Sequence, residues 1–465
     1  MDDLLTKITA LAKRRGYIFP SSEIYGGLAN TYDFGPYGTE LKENVRNLWW
    51  ETFIRNRDDM YGIDSSVIMN PEVWKASGHV ESFVEIMIED TVNNRRYRAD
   101  HIIEEYFGKK GIERKVEGLP LDELDKIIEE ENILTPDGNK FSKARKISGL
   151  FETEIGILED DKNSAYLRGE IAQGLFLNYK NIIDSIHPKL PFGIGQAGKV
   201  YRNEVSKGQL THRTLEFDLM EFEYFFDPDE QNWNELFDYW KDQIYDFSQK
   251  LGIREENLRW RAHEEFELSH YSKRTEDLEY KYPWGYKELF ASAYRTDFDL
   301  KNHQEKSGKS MEYIYPDNRR VIPHVIEPTF GLSRVITVLL IDAYREERFT
   351  DSNDQEKERV YLALSPKIAP VKAAVFPLQK DQKLEKLAKE IHQDIRNKVS
   401  GLVIYDNTGN IGKNYRRQDE IGTPYCITVD FDSLNDKMVT VRDRDSMDQR
   451  RVPIDAVAEI IKEKL

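Results

Sequence analysis

Cysteine is almost absent from this chain. One cysteine, Cys426, in 465 residues excludes an internal disulfide and a cysteine-based zinc site. Long apolar runs are missing as well. The longest, near Val335 to Ile341, falls far short of the roughly 20 residues a membrane-spanning helix needs. The first residues, Met1-Asp2-Asp3-Leu4, lack the basic start and apolar stretch of a secretory leader. A cytoplasmic protein with no membrane partner is expected. Surplus basic charge is also lacking: 67 Lys and Arg against 84 Asp and Glu leave a net charge of −17. That argues against non-specific nucleic-acid binding, which shows as a basic domain. It leaves room for an RNA that is released after each turnover and held by local basic patches. With 39% hydrophobic and 32% charged residues the composition is soluble and globular. The length exceeds what one hydrophobic core serves, so two or three domains are expected.

Two stretches far apart read as halves of one nucleotide site. The first is Tyr201-Arg202-Asn203-Glu204, followed by a charged loop and then Glu216-Phe217-Asp218-Leu219-Met220-Glu221-Phe222-Glu223. It reads as strand, loop, strand, with Arg202 and Glu204 on one strand face because alternate residues point the same way. The second, Glu327-Pro328-Thr329-Phe330-Gly331-Leu332-Ser333-Arg334, reads as a strand meeting a helix through glycine. A helix N-terminus already attracts anions, so an arginine in its first turn points to a phosphate or an aromatic base as partner.

Along the chain, helices are expected from Leu4 to Arg15 and from Thr39 to Arg57, the second with Leu41, Val45, Leu48, Trp49 and Phe53 on one face. Glu85 to Leu158 reads as an insertion holding Tyr97-Arg98-Ala99-Asp100, an acidic helix near Leu121 to Glu131 and a turn at Pro136-Asp137-Gly138. Strands and helices run from Ala165 to Leu340. Thr350 to Arg359 is a charged linker that marks a boundary. Beyond it, strands at Lys372 to Phe376, Leu402 to Tyr405 and Tyr425 to Asp430, with helices at Gln382 to Lys398 and Pro453 to Leu465, indicate an α/β domain. Lys413-Asn414-Tyr415-Arg416-Arg417 is a dense basic cluster with an aromatic, readable as an RNA surface or as a solvated loop. Three other patterns carry no function. Gly193-Ile-Gly-Gln-Ala-Gly198 matches a dinucleotide fingerprint but precedes no helix. Gly308-Lys309-Ser310 resembles the end of a P-loop, yet His303 takes the place of the leading glycine. His263 and His270 are too far apart in sequence for the two zinc ligands of one helix face.

Arg202-Asn203-Glu204 resembles motif 2, and Gly331 to Arg334 motif 3, of the class II aminoacyl-tRNA synthetases. Six further runs narrow the resemblance to glycyl-tRNA synthetases of the homodimeric type: Leu11 to Gly27, Asp33 to Gly38, Tyr97 to Asp100, Ala172 to Gly174, Arg295 to Leu300 and Arg416 to Tyr425. The resemblance implies an α+β catalytic core, an antiparallel sheet flanked by helices, followed by a C-terminal α/β anticodon-binding domain. It divides the chain into a catalytic domain (1–84 and 159–350), the insertion (85–158), a linker (351–366) and the anticodon-binding domain (367–465). The helix after Thr39 corresponds to motif 1 at the dimer interface. Many relatives carry a Cys-x-x-Cys knuckle where Thr91 and Asn94 stand here, so no structural zinc is expected. The implied activity is the ATP-dependent attachment of glycine to tRNA(Gly) through a glycyl-adenylate, with Mg²⁺ accompanying ATP.

That chemistry asks for positioning and for neutralised phosphate charge, which arginines supply. By resemblance the catalytic residues are Arg202, Glu204 and Arg334. ATP is bound by Arg202, Asn203, Glu204, His212, Arg213, Thr214, Leu215, Glu216 and Phe217, by Glu288 and Leu289, and by Gly331, Leu332, Ser333 and Arg334. Phe217 and Arg334 sandwich the adenine, and Glu288 is the Mg²⁺ ligand. Glycine is bound by Arg98, Glu170, Phe217, Asp218, Leu219, Met220, Glu221, Glu327, Pro328, Thr329, Phe330 and Gly331, with Glu170, Glu221 and Glu327 around its ammonium. Tyr415, Arg416 and Arg417 are the tRNA candidates. The chain departs from the family pattern at Gly169, Ile171, Lys207-Gly208, Leu215, Leu219, Ala291 and Thr329. Two rivals are a non-catalytic synthetase-like accessory module, which would have lost the phosphate arginines, and a class II enzyme for another small amino acid, which the three glutamates disfavour.

Overall fold

The computed structural model describes residues 2–112, 114, 116, 119–157, 162–203, 209–350 and 354–465. Its centre is a seven-stranded sheet. In chain order the strands are β1 (Met60–Gly62), β2 (Phe192–Tyr201), β3 (Glu216–Phe226), β4 (Leu258–Ala262), β5 (Arg274–Tyr282), β6 (Gly285–Thr296) and β7 (His324–Gly331). In space they run β4-β5-β6-β7-β3-β2-β1. Every neighbouring pair is antiparallel except β1 and β2. A largely antiparallel sheet of this kind is the architecture that the resemblance implies.

The pleat of β3 decides what each face of the sheet does. Met220, Phe222, Tyr224 and Phe226 turn toward α2 (Pro36–Trp50), α4 (Trp233–Lys250) and α6 (Leu332–Ala343) and join the main core there. Phe222 lies 4.7 Å from Trp240 and 5.5 Å from Phe53, and Phe53 lies 5.0 Å from Phe330. Such ring pairs add about 0.5–1.5 kcal/mol each beyond the area they bury. Phe217, Leu219, Glu221 and Glu223 alternate with them and face the other side, which α3 (Ala172–Ile186) and α5 (Phe298–Ser307) cover. A strand that alternates aromatics with acids therefore packs a core with one face and builds a site with the other.

The N-terminal helix α1 runs from Asp2 to Arg15. The helix expected from Thr39 to Arg57 begins at Pro36, because proline suits a first helical position, and continues past Trp50 as a π-turn over Glu51–Arg55. Its apolar stripe of Leu41, Val45, Trp49 and Phe53 is buried inside the chain, with Leu48 packed alongside.

In the insertion, a three-stranded sheet of Val84–Glu89, Arg96–Arg98 and Arg145–Ser148 packs on helices Ala99–Lys109 and Leu121–Glu130 around its own cluster. The insertion's expected end at Leu158 lies outside the described residues. Thr91 and Asn94 sit in a hairpin turn organised by Asp90. The Asp90 carboxylate accepts hydrogen bonds from the Val92 and Asn93 amides, Thr135 Oγ1 and Asn139 Nδ2. Burial alone would raise this carboxyl, but these donors hold it at about 2.

Two expectations after residue 343 are corrected. The charged stretch read as a linker is largely paired. Strands β8 (Tyr344–Thr350) and β9 (Glu356–Leu362) form an antiparallel ribbon. Its charges face one another across the strands, Arg348 with Glu358 and Arg359 with Glu347, both at 2.7 Å. Residues 351–353 lie outside the described set. In the C-terminal module, β10 (Val371–Pro377), β11 (Leu402–Tyr405) and β12 (Tyr425–Val429) are parallel as the alternation implies, flanked by α7 (Gln382–Lys398). An antiparallel hairpin, β13 (Met438–Asp443) and β14 (Gln449–Pro453), extends the sheet to five strands in the order β11-β10-β12-β13-β14. The Lys413 to Arg417 cluster lies on a helix and not on a loop: it belongs to α8 (Ile411–Ile421). Glu420 of α8 pairs with Arg14 and Arg15, and the Tyr17 hydroxyl donates to the Ile421 carbonyl. This helix therefore docks the C-terminal module on the N-terminal segment.

The first turn of α2 allows no added bulk. A Cβ at Gly38 would sit 1.9 Å from the Tyr17 carbonyl oxygen. Gly38→Ala is expected to force the two segments apart and destabilise the protein by about 1–3 kcal/mol. A thermal melt checks this, and an unchanged melting temperature would show that the turn relaxes freely.

Candidate active site

The acid half of the site is assembled by strand register. Pairing of β3 with β7 sets Glu221 opposite Thr329, and pairing of β6 with β7 sets Ala293 opposite Glu327, so Glu221 and Glu327 rise from neighbouring strands. Glu170 precedes α3. The first amides of α3 are orphan donors that favour a carboxylate. Glu221 Oε2 accepts from the amides of Ile171 at 3.1 Å and Ala172 at 2.9 Å, and Oε1 from Thr329 Oγ1 at 2.8 Å. Glu170 accepts from Gln173 Nε2 at 3.0 Å and lies 3.1 Å from His79 Nε2. Arg295, fully buried, donates to Glu327 at 2.8 Å and to both oxygens of Asp299 at 2.8 and 3.0 Å, and its guanidinium covers the Tyr271 ring at 3.7 Å.

These contacts divide the acids by charge. Burial would raise the Glu170 carboxyl, but His79, Arg295 and Gln173 hold it well below the usual range. Burial and the nearby Glu170 push Glu221 up, against the Thr329 hydroxyl. Burial pushes Glu327 well above the usual carboxylate range, reinforced by Glu221 and Glu170 and opposed by Arg295. Without ligand the pocket holds more buried carboxylate than cation, which suits a small positively charged group.

The arginine half adjoins it. Arg202 lies just past the end of β2 and not on the strand, and its expected partner Glu204 lies outside the described residues. The Arg202 guanidinium stands 5.6 Å from the Phe217 ring and 5.1 Å from Phe83, with Nε donating to the Gly169 carbonyl at 2.9 Å. It lines one cleft with Leu219 and Thr329 of the acid half and with Glu288 and Arg334 of the arginine half, so it stands between the two. Arg334, in the first turn of α6, donates to Glu288 Oε1 at 2.6 Å. Burial would raise Glu288, but Arg334, then Arg213 and Arg202, bring it to about 2. The expected adenine stacker and the expected Mg²⁺ ligand thus hold each other. Arg213 is exposed on the same cleft, beside His101 and Lys287.

Several expected contacts are redirected. Asp218 turns to the other face of β3, where it meets Lys42 at 3.1 Å. Met220, Phe330, Leu289 and Leu332 bury their side chains in the main core. Pro328 shares the core-facing parity of Phe330, whereas Glu327 and Thr329 face the pocket with half-buried Phe217 and buried Leu219. Arg98 ion-pairs with Asp100 at 2.5 Å and lines the arginine cleft with Glu288 and Arg334. His212 packs on Tyr282 and Trp284, and burial with the neighbouring Arg334 and Arg213 lowers it to about 3, so it is a neutral wall. Glu216 pairs outward with Lys199, and the Thr214 hydroxyl donates to the Glu216 carbonyl at 2.8 Å. Asn203 donates its amide to the Gly149 carbonyl, and the Leu215 carbonyl accepts from the Arg202 amide at 3.0 Å. Ser333 Oγ accepts from the Asp218 amide at 2.9 Å, tying β3 to α6 beside Gly331. Of the tRNA candidates, Tyr415 packs on Phe376 and hydrogen-bonds Thr428, Arg417 pairs with Asp406, and Arg416 is exposed. Tyr415 therefore offers no free ring for a base to stack on.

Comparison with known proteins gives this geometry its family. Residues 151–343 match the tRNA synthetase class II core domain (G, H, P, S and T), and residues 372–464 match the anticodon binding domain. The chain is 46% identical over 464 residues to a protein named glycine–tRNA ligase from Caldanaerobacter subterraneus subsp. tengcongensis, covering 99% of this chain and 98% of that one. It is 47% identical over 465 residues to the one from Clostridium acetobutylicum, with 99% and 98% covered, and 46% identical to the one from Geobacillus kaustophilus, with 99% of each covered. The chain belongs to the glycine–tRNA ligase family. It is a class II aminoacyl-tRNA synthetase, and none of these likenesses supports a non-catalytic accessory module.

In this synthetase, residue-by-residue matching overlooked Arg295, Tyr271, His79 and Gln173. Arg295 opens one of the runs that carry the resemblance, which was the available signal. Asp299 on α5 is close in sequence, but Glu327 on β7, Glu170 before α3 and the Tyr271 ring reach Arg295 only through folding. His263 and His270, set aside as metal ligands, hydrogen-bond Asp277 at 2.8 Å and the Ser77 carbonyl at 3.0 Å. Removing the central cation should be costly. Arg295→Met leaves Glu327 and Asp299 buried without their cation, a loss of about 3–5 kcal/mol. The unpaired carboxyls can take up protons, so the fall in melting temperature should shrink as the pH is lowered. A pH-independent fall would mean that packing, not charge, is what Arg295 supplies.

Proposed function

We propose that this chain activates glycine with ATP to form glycyl-adenylate and transfers the glycyl group to tRNA(Gly). The observation that carries this reading is the direct contact of two unlike half-sites. A carboxylate pocket suited to an ammonium adjoins an arginine cleft suited to phosphate, with Arg202 between them. In this reading Glu221, Glu327 and Glu170 hold the ammonium, and Arg202 neutralises charge developing on the α-phosphate as the amino-acid carboxylate attacks. Arg213 meets the outer phosphates, and Phe217 and Arg334 enclose the adenine. Glu288, an ionised and partly exposed carboxylate at the cleft, would hold a Mg²⁺ ion accompanying ATP, which would help to neutralise phosphate charge. Thr329 closes the acid pocket against a substrate side chain.

The same reading assigns residues 1–84 and 159–350 to catalysis and the module from 367 to the anticodon, and it leaves no need for zinc. Exposed Arg416 remains a tRNA contact in this proposal. A cytoplasmic homodimer follows from the resemblance. Among the described residues no helix is long and apolar enough to cross a membrane. The apolar stripe of α2 is used within the chain, so a dimer would form through other surfaces.

ATP–pyrophosphate exchange tests the reading. Exchange is expected with glycine and not with alanine, serine, threonine or proline, and an equal rate with any of these would overturn the assignment. Arg202→Ala should cut the glycine-dependent rate by about two to three decades, the effect of losing one donor to developing charge, in a protein that stays folded. Glu221→Gln or Glu327→Gln should raise KM for glycine by roughly 10- to 100-fold, the worth of one charged hydrogen bond. KM for ATP should move far less. If ATP suffers instead, these acids belong to the nucleotide half.

A further inference from the structure

Glu223 has no role in the site as built so far. It lies two residues beyond Glu221 on β3, so both side chains leave the same face of the strand. It is fully buried, and neither of its carboxylate oxygens has a hydrogen-bond partner among the described residues. Oxygens of Glu221, Glu223 and Glu327 come within 4.8 Å of one another. The charged groups that face Glu223 are Glu327 from β7, Arg295 from β6, Glu221 from its own strand and Asp299 from α5. Glu170 at the head of α3 and His303 on α5 face the same arginine. The Arg295 donors are directed at Glu327 and Asp299 and leave Glu223 unserved. An ionised carboxylate so placed is much less stable than its protonated form. A protonated one gains a donor that a neighbouring carboxylate oxygen can accept.

We propose that Glu223 is a positioning residue that carries a proton in the empty pocket, shares it with Glu327 in a hydrogen bond, and releases it to solvent when the substrate ammonium enters. This rests on the ammonium pocket proposed above. The exchange balances: one positive charge enters with the amino group, one leaves as a proton, and the only bond broken is the Glu223 O–H. The proton keeps the acids from repelling one another before substrate arrives, and its loss gives Glu327 full charge once the ammonium is present. Burial, then Glu327, pushes the Glu223 carboxyl well above its ordinary range, consistent with this assignment. The direction of the pH effect follows. The carboxyl titrates higher in the empty pocket than in the loaded one. Between those two values binding expels a proton, and KM for glycine falls as pH rises. Above the higher value the dependence ends.

Calorimetric titration of the full-length protein with glycine, in buffers of different ionisation enthalpy, counts the protons released. About one per glycine is expected near neutral pH. Glu223→Gln keeps an N–H donor toward Glu327 but has no proton to lose. Its release should drop to near zero and its KM–pH profile should flatten. Glu223→Leu removes the donor and should raise KM for glycine, with partial recovery in the Gln variant. Should the Leu variant not fold, the proton count of the Gln variant decides. Glycine that binds wild-type protein without proton release, or release undiminished in the Gln variant, overturns the role of Glu223 and leaves the ammonium pocket standing. A protein that binds no glycine overturns both.

Discussion

A buried carboxylate is stable only beside a cation or enough hydrogen-bond donors, and this site gathers Glu170, Glu221, Glu223, Glu327 and Asp299 around the guanidinium of Arg295. Much of the surrounding structure follows from that constraint. Each acid needs its own compensation, so the backbone must be placed to within a few tenths of an ångström. The sheet supplies this through the registers of β3, β6 and β7. The start of α3 supplies two amides to Glu221. The aromatic core on the far face of the same strands holds them rigid. Compensation stops short of neutrality, and that shortfall suits the pocket to the ammonium proposed for it.

The boundary between the two half-sites is set by the reach of single side chains. Phe217 and Glu221 lie on one face of β3, four residues apart, roughly 13 Å at the rise of a strand. Within that span the site changes from surplus negative charge to surplus positive charge. Arg202 is anchored by its Nε to the Gly169 carbonyl, next in sequence to Glu170. The residue proposed to meet phosphate is thereby tied to the loop that carries a pocket acid. On the cleft side Arg334 and Glu288 pair at 2.6 Å, which restricts an otherwise flexible arginine.

Much of this was legible in the sequence, and the failures have physical causes. The alternation in β3 and the glycine before α6 announce themselves because strand and helix periods are local properties. α7 matches its expected span residue for residue because its caps and stripe are local too. The ribbon of β8 and β9 was read as a linker because its stability comes from cross-strand charge pairs between residues about ten apart. The cluster on α8 reads equally as a loop or as an RNA surface because three of the helix's buried positions, Asn414, Gln418 and Asp419, are polar, and Asp419 finds its partner, Arg442, only through folding. The site was legible where one side chain carries one charge. It was not where the function belongs to a network: Arg295 and Glu223 acquire meaning only from neighbours that folding brings near.

Thr329 shows how a departure from the family pattern can preserve the chemistry. The family pattern that the resemblance implies has serine at this position, which offers a hydroxyl. Threonine keeps it, and here the hydroxyl donates to Glu221 at 2.8 Å. The added methyl restricts rotation about χ1, so the hydroxyl stays aimed at the carboxylate without another partner to hold it. In the glycine pocket proposed here the same methyl takes up space that a substrate side chain would need. Overpacking by one methyl-sized group costs about 1–3 kcal/mol, between roughly tenfold and 200-fold in discrimination. Exclusion by size is effective in this direction because a larger substrate must displace packed atoms, whereas a smaller one only leaves a gap. Glycine is the smallest amino acid, so no smaller competitor can exploit that gap. A single rigid pocket can then serve without a second, hydrolytic site.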